Sequence, residues 1–139
     1  MRAIATWQKD QLYDGESHSG HHIAIDAEAA HLSGPSPMEL VLMALCSCTA
    51  VDVVSILHKK REPFTSLTVS AVAEQAPEAP RVFTHIRLTY HVGGNVSAKA
   101  ADDAVALSKN KYCSVSRMLE QSVAIDYEIT YDRPGTSPA

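Results

Sequence analysis

Residues 36–61, SPMELVLMALCSCTAVDVVSILHKKR, decide the fold. Ser36 is a helix N-cap, Pro37 falls at the first helical position, and Glu39 completes an S-x-x-E capping box. Apolar residues then fill most positions as far as Leu57. His58, Lys59, Lys60 and Arg61 meet the negative end of the helix dipole, and Pro63 stops it. One long helix from Pro37 to about Lys60 is predicted. It has nearly the length of a membrane span, but Asp52 lies inside it and Ser47, Thr49 and Ser55 dilute it. A carboxylate at a bilayer centre costs about 2.5–3.5 kcal/mol, so the segment reads as a buried helix and no membrane is expected. A helix apolar on nearly every side needs cover all round. One small sheet covers one side, so a second copy of the chain is expected to supply the rest.

The flanks read as strands and short helices. RAIATWQKDQL (2–12) and HHIAIDA (21–27) look like strands, with the turn-rich YDGESHSG between them. After the helix, SLTVSAVAEQ and RVFTHIRLTYHV alternate apolar and polar residues, joined by APEAP. His85 and His91 fall on the polar face of the second run. SAKAADDAVALSKN, capped by Ser97, and CSVSRMLEQ read as helices, VAIDYEITY as a last strand, and 132–139 as a loose tail. The order predicts an α+β domain, residues 1–139, whose sheet wraps a central hydrophobic helix.

A chain of 139 residues with net charge -4 gives no electrostatic reason to expect nucleic acid. The N-terminus MRAIATWQKDQ lacks the apolar run of a signal peptide, which predicts a cytoplasmic location. Thiols there are kept reduced, so the three cysteines do not form a disulfide scaffold; any disulfide is transient and catalytic.

Cys46 and Cys48, two apart on a helix, point about 200° away from each other. Diverging Cβ vectors forbid a disulfide between them. Cys46 shares an apolar stripe with Leu42, Met43, Ala50, Val53 and Leu57 and reads as a core filler. Cys48 lies on the side of Asp52 and Ser55, where the polar groups gather. Cys113 opens a short helix, where backbone N–H groups stabilise a thiolate; a small residue at a loop-to-helix corner is the other reading.

SPMELVLMALCSCTAVDVV followed by KYCSVSRML resembles the OsmC/Ohr family of thiol-dependent hydroperoxide reductases, and in particular its YhfA-like subgroup. The likeness extends over nearly the whole chain. It implies a curved antiparallel sheet around a long central helix in an intertwined homodimer. It also implies a peroxidase that protects against oxidative stress: Cys48 attacks an organic hydroperoxide and Cys113 resolves the sulfenate, with an external dithiol as reductant and no bound cofactor or metal. In active members an N-terminal arginine, held by a glutamate ten positions before the reactive cysteine, activates that cysteine. Here that position is Met38, Glu39 is one step on, and no arginine lies between Arg2 and Arg61. Supporting roles fall to Glu39, Asp52, His18, His21, His22 and Arg117, with a histidine or Arg117 as the substitute cation.

The departures at Met38 and the missing arginine point to a second reading, in which the dimer binds a small apolar ligand or senses redox state without turnover. A third takes HSGHH (18–22) with Cys48 as a zinc site, but the spacing matches no ligand pattern.

Overall fold

The computed structural model describes residues 1–133. Most of the expected tail, 134–139, lies outside the described residues. Its first two positions are held, because Asp132 ends a strand and the Arg133 guanidinium donates to the Val96 carbonyl at 3.1 Å.

The chain divides into two compact units. The first, Met1–Met43, holds strands β1 (Ala3–Lys9), β2 (Leu12–Ser17) and β3 (His22–Asp26) in one antiparallel sheet of order β1-β2-β3. The segment read as a turn, YDGES, is therefore most of the central strand. Being paired on both sides supplies ladder hydrogen bonds that override its weak strand propensity. The real reversals lie at Asp10, with φ of 47°, and at Gly20, with φ of 86°. Gly15 fits because its neighbours close over it: a Cβ there would lie 2.9 Å from Ile25 Cδ1. Asp26 then folds the chain toward the helix, its carboxylate accepting the N–H groups of Glu28 at 2.9 Å and Ser33 at 3.0 Å.

Helix α1 spans Pro37–Lys59. The Ser36 hydroxyl accepts the Glu39 N–H at 3.1 Å, as the capping box requires. By length and composition α1 could cross a membrane. Only Leu45, Thr49, Val53 and Leu57 are fully buried, a stripe repeating every fourth residue, while Val51 stays 68% exposed.

The second unit begins at Ala44 and holds β4 (Phe64–Gln75), β5 (Phe83–Gly94) and β6 (Ala124–Asp132), with helices α2 (Ala98–Leu107) and α3 (Ser114–Leu119). A π-helical turn, Ser108–Tyr112, sits between the two helices. β4 and β5 pair antiparallel as expected, but β5 and β6 run parallel, so this sheet is mixed rather than all antiparallel. The reason is the connection: α2, the π-turn and α3 form the long crossover that parallel neighbours need. Ile86, Leu88, Tyr90 and Val92 face the core. The outer face carries a polar ladder, in which His85 binds Asp126 at 2.7 Å, Arg87 binds Asp126 and Glu128, and His91 binds Thr130 at 2.7 Å. Ser97 caps α2 by accepting the Ala100 N–H at 3.1 Å, and in turn donates to Glu62.

Candidate active site

Helix α1 and the N-terminus of α3 bring two of the three thiols together. Cys113 is the N-cap of α3, 2% exposed, and its sulfur accepts the Ser116 N–H at 3.4 Å. Burial pushes its thiol up to about 11, and the neighbouring Cys48 sulfur and the Asp52 carboxylate act in the same direction. The Ser116 N–H opposes this but is outweighed, so the helix N-terminus does not make Cys113 a thiolate. Cys48 is half-buried and more accessible than Cys113. All three cysteines are free thiols; Cys46 is half-buried and burial raises its pKa.

Beside the thiols runs a chain of hydroxyls. The Thr49 hydroxyl lies 2.7 Å from that of Tyr90 and 2.8 Å from that of Ser108, and Ser108 donates to Asp52 Oδ2 at 2.8 Å. One proton per hydroxyl fixes the direction: Ser108 spends its proton on Asp52, so Thr49 donates to Ser108 and Tyr90 donates to Thr49. Every member is satisfied, and burial pushes the Tyr90 hydroxyl up to about 12. Asp52, placed one turn after Cys48, is thus the acceptor that ends the chain. A cleft of about 380 Å³ opens at Asp52, lined by Ser55, Ile56, Leu107, Tyr112 and the two lysines Lys59 and Lys60.

Arg117 is exposed, with its guanidinium 3.5 Å from Glu120. The Glu39 backbone serves the helix cap, and its carboxylate lies 3.5 Å from His31 Nε2. His18, His21 and His22 belong to the first unit, at the reversal between β2 and β3. His21 Nδ1 is 2.9 Å from the Ser19 hydroxyl, and His22 Nδ1 is 2.9 Å from Asp14, which raises the His22 pKa. Among the described residues no group of three or more His, Cys, Asp or Glu side chains could hold a metal ion.

Sequence reasoning missed Thr49, Ser108 and Tyr90. Thr49 could have been found as a hydroxyl inside an apolar run next to Cys48. Tyr90 and Ser108 lie 41 and 59 positions away from Thr49, and no local signal ties them to it.

A family model described as OsmC-like protein matches residues 29–128. Protein YhfA of Escherichia coli (strain K12) is 46% identical over 132 residues, covering 93% of this chain and 98% of that protein. Among solved structures, an OsmC-like protein from Mycoplasma pneumoniae superposes with a TM-score of 0.83 at 15% identity, covering 94% of this chain and 95% of that one. An organic hydroperoxide resistance protein from Elizabethkingia anophelis gives a TM-score of 0.71 at 13% identity, with 94% of each chain covered. At such identities these two likenesses bear on the fold alone.

Proposed function

The chain belongs to the OsmC-like protein family, and on that premise we propose that it is a thiol-dependent peroxidase that reduces organic hydroperoxides. The observation that carries the reading is the asymmetry of the thiol pair: Cys113 is buried and held protonated beside the more accessible Cys48. Cys48 is then the nucleophile and Cys113 the resolving thiol. The Cys48 thiolate attacks the outer peroxide oxygen, the O–O bond breaks, and the alkoxide leaves as an alcohol after taking a proton, giving a Cys48 sulfenic acid. The Cys113 thiol next attacks the Cys48 sulfur. The S–S bond forms, the S–O bond breaks, and water leaves with the Cys113 proton. An external dithiol returns both cysteines to thiols and is itself oxidised to a disulfide.

The cleft at Asp52, with Ile56, Leu107 and Tyr112 in its wall, suits a hydroperoxide with an apolar body. We also infer a homodimer, since Val51 on the most apolar helix is 68% exposed. The test is turnover of cumene hydroperoxide with dithiothreitol by the wild type and by Cys48→Ser; sustained turnover lost in the variant supports the reading.

A second reading keeps the dimer and its cleft for a small apolar ligand or for redox sensing. Two features favour it: Met38 in place of the family's glutamate, and the Asp52 carboxylate one turn from Cys48. Oxidation of Cys48 by a single equivalent of peroxide, without sustained turnover, would select it.

A further inference from the structure

We propose that Ser108 is a positioning residue that sets the approach of Cys113 to Cys48, an inference that rests on the thiol-pair reading above. Ser108 is fully buried, and beyond the helical bonds of its own N–H it makes three that bear on the thiols. Its hydroxyl accepts from Thr49 and donates to Asp52, both at 2.8 Å. These two residues follow Cys48 on α1, by one position and by one turn. Its carbonyl accepts the Cys113 N–H at 2.8 Å. A single residue therefore grips α1 beside one sulfur with its side chain and holds the backbone of the other with its carbonyl.

The local winding explains how it can do both. The bond from Cys113 N–H to Ser108 C=O spans five residues, so the turn Ser108–Tyr112 is wider than an α-turn. Such one-turn widenings recur at functional sites. The start of the turn is fixed a second time, because Lys109 Nζ donates to the Ile125 carbonyl at 2.7 Å and lies over the Tyr127 ring. With its neighbour anchored to β6, Ser108 is the point at which the turn is registered on α1.

Disulfide geometry makes that registration matter. A strain-free S–S bond needs Cβ atoms about 3.8 Å apart and a dihedral near 90°. Displacements of about 1 Å in a reacting pair cost on the order of a hundredfold in rate. The Ser108 hydroxyl is bonded to Thr49 and Asp52 and to neither sulfur. It thus matters for the second chemical step, the attack of Cys113 on the Cys48 sulfenate, and not for the first.

The experiment treats pre-reduced protein with one equivalent of cumene hydroperoxide. Samples are quenched over time with dimedone and iodoacetamide and mapped by mass spectrometry. In Ser108→Ala the Cys48 thiol should disappear at the wild-type rate, while the Cys48–dimedone adduct accumulates and the Cys48–Cys113 disulfide forms roughly ten- to a hundredfold more slowly. Ser108→Thr, which keeps the hydroxyl, should restore the disulfide. Asp52→Ala and Asp52→Asn break the grip from the other end: both remove the charge, but only alanine removes the acceptor, so only alanine should accumulate adduct. A purely structural role would slow both steps together, or lower the melting temperature with no adduct, and either result overturns the proposal. Disulfide formation in Ser108→Ala at the wild-type rate also overturns it, alone. A wild type that never joins Cys48 to Cys113 overturns the thiol-pair reading, and this inference with it.

Discussion

The Thr49 hydroxyl, in the middle of an otherwise apolar helical stripe, lies 2.7 Å from the Tyr90 hydroxyl on β5. Both residues are buried, at 1% and 0% exposure. Thr49→Val keeps the shape and removes the link between Tyr90 and Ser108. It leaves the Tyr90 O–H without an acceptor and Ser108 without a donor, each buried. An unmet buried polar group costs about 1–3 kcal/mol, so Thr49→Val should lose that much stability in a denaturant titration. Tyr90→Phe removes only the first donor of the chain, and since Thr49 still donates to Ser108 its cost should fall at or below the lower end. Equal losses in the two variants would contradict the direction assigned to the chain.

Much of this arrangement was legible in residues 36–61. The capping box, the basic end and Pro63 bounded α1 to within a residue, because caps and breakers act locally. The alternation in RVFTHIRLTYHV placed Ile86, Leu88, Tyr90 and Val92 on the buried face for the same reason. What local pattern could not convey was pairing. Nothing in YDGES announces that strands on both sides will hold it straight, and nothing in VAIDYEITY reveals that it runs parallel to β5. At the site, the opposite facing of Cys46 and Cys48 followed from helix geometry. The bonds from Thr49 to Tyr90 and Ser108 depend on the packing of distant segments.

The pH response of stability should fall away at both ends. Cys113 and Tyr90 have folded pKa values raised by burial above the ordinary values of about 8.5 and 10. A raised group contributes stability that is fully present below its ordinary pKa and is lost as pH rises through the folded one. Loss should therefore begin near pH 9 and deepen towards pH 12. At the acid end, Asp26 is lowered by the Ser33 and Glu28 N–H groups, and Asp126 by His85 and Arg87. Lowered carboxyls stabilise above their ordinary pKa of about 3.9, and the contribution disappears as pH falls below it. Melting temperatures between pH 2 and 11 check this; in Cys113→Ala the alkaline loss should shrink, leaving the part owed to Cys46 and Tyr90.

Ser116 should be replaceable at a gain. Its hydroxyl is buried and, among the described residues, has no hydrogen-bond partner. Its backbone N–H, which caps through the Cys113 sulfur, survives any side-chain change. Ser116→Ala removes an unmet polar atom without a large cavity, so stability should rise by about 1 kcal/mol. A loss of similar size would reveal a partner for this hydroxyl in the assembled protein.

Val51 is 68% exposed on the most apolar helix of the chain. If a second copy covers that surface, light scattering at micromolar concentration should return twice the mass of the 139-residue chain. Val51→Glu should shift the mass towards that of one chain, because an unpaired carboxylate is costly in an apolar interface. A wild type with the mass of a single chain at all accessible concentrations would remove the dimer.

The two thiols of the site should behave unequally towards reagents. Cys113 is 2% exposed and held protonated, so it should react slowly with iodoacetamide at pH 7.5. Cys48, half-buried, should be modified ahead of it. Cys113→Ser keeps a donor at the position but cannot form a disulfide; after one equivalent of hydroperoxide its Cys48 should persist as a sulfenic acid that dimedone traps, and then over-oxidise with excess peroxide. Cys48→Ser leaves only the protected thiol and Cys46, whose pKa burial also raises, and should consume little hydroperoxide. Mass spectrometry of both variants decides the assignment. Rapid oxidation of Cys113 in Cys48→Ser would exchange the two roles, making the buried cysteine the nucleophile and Cys48 the residue that resolves it.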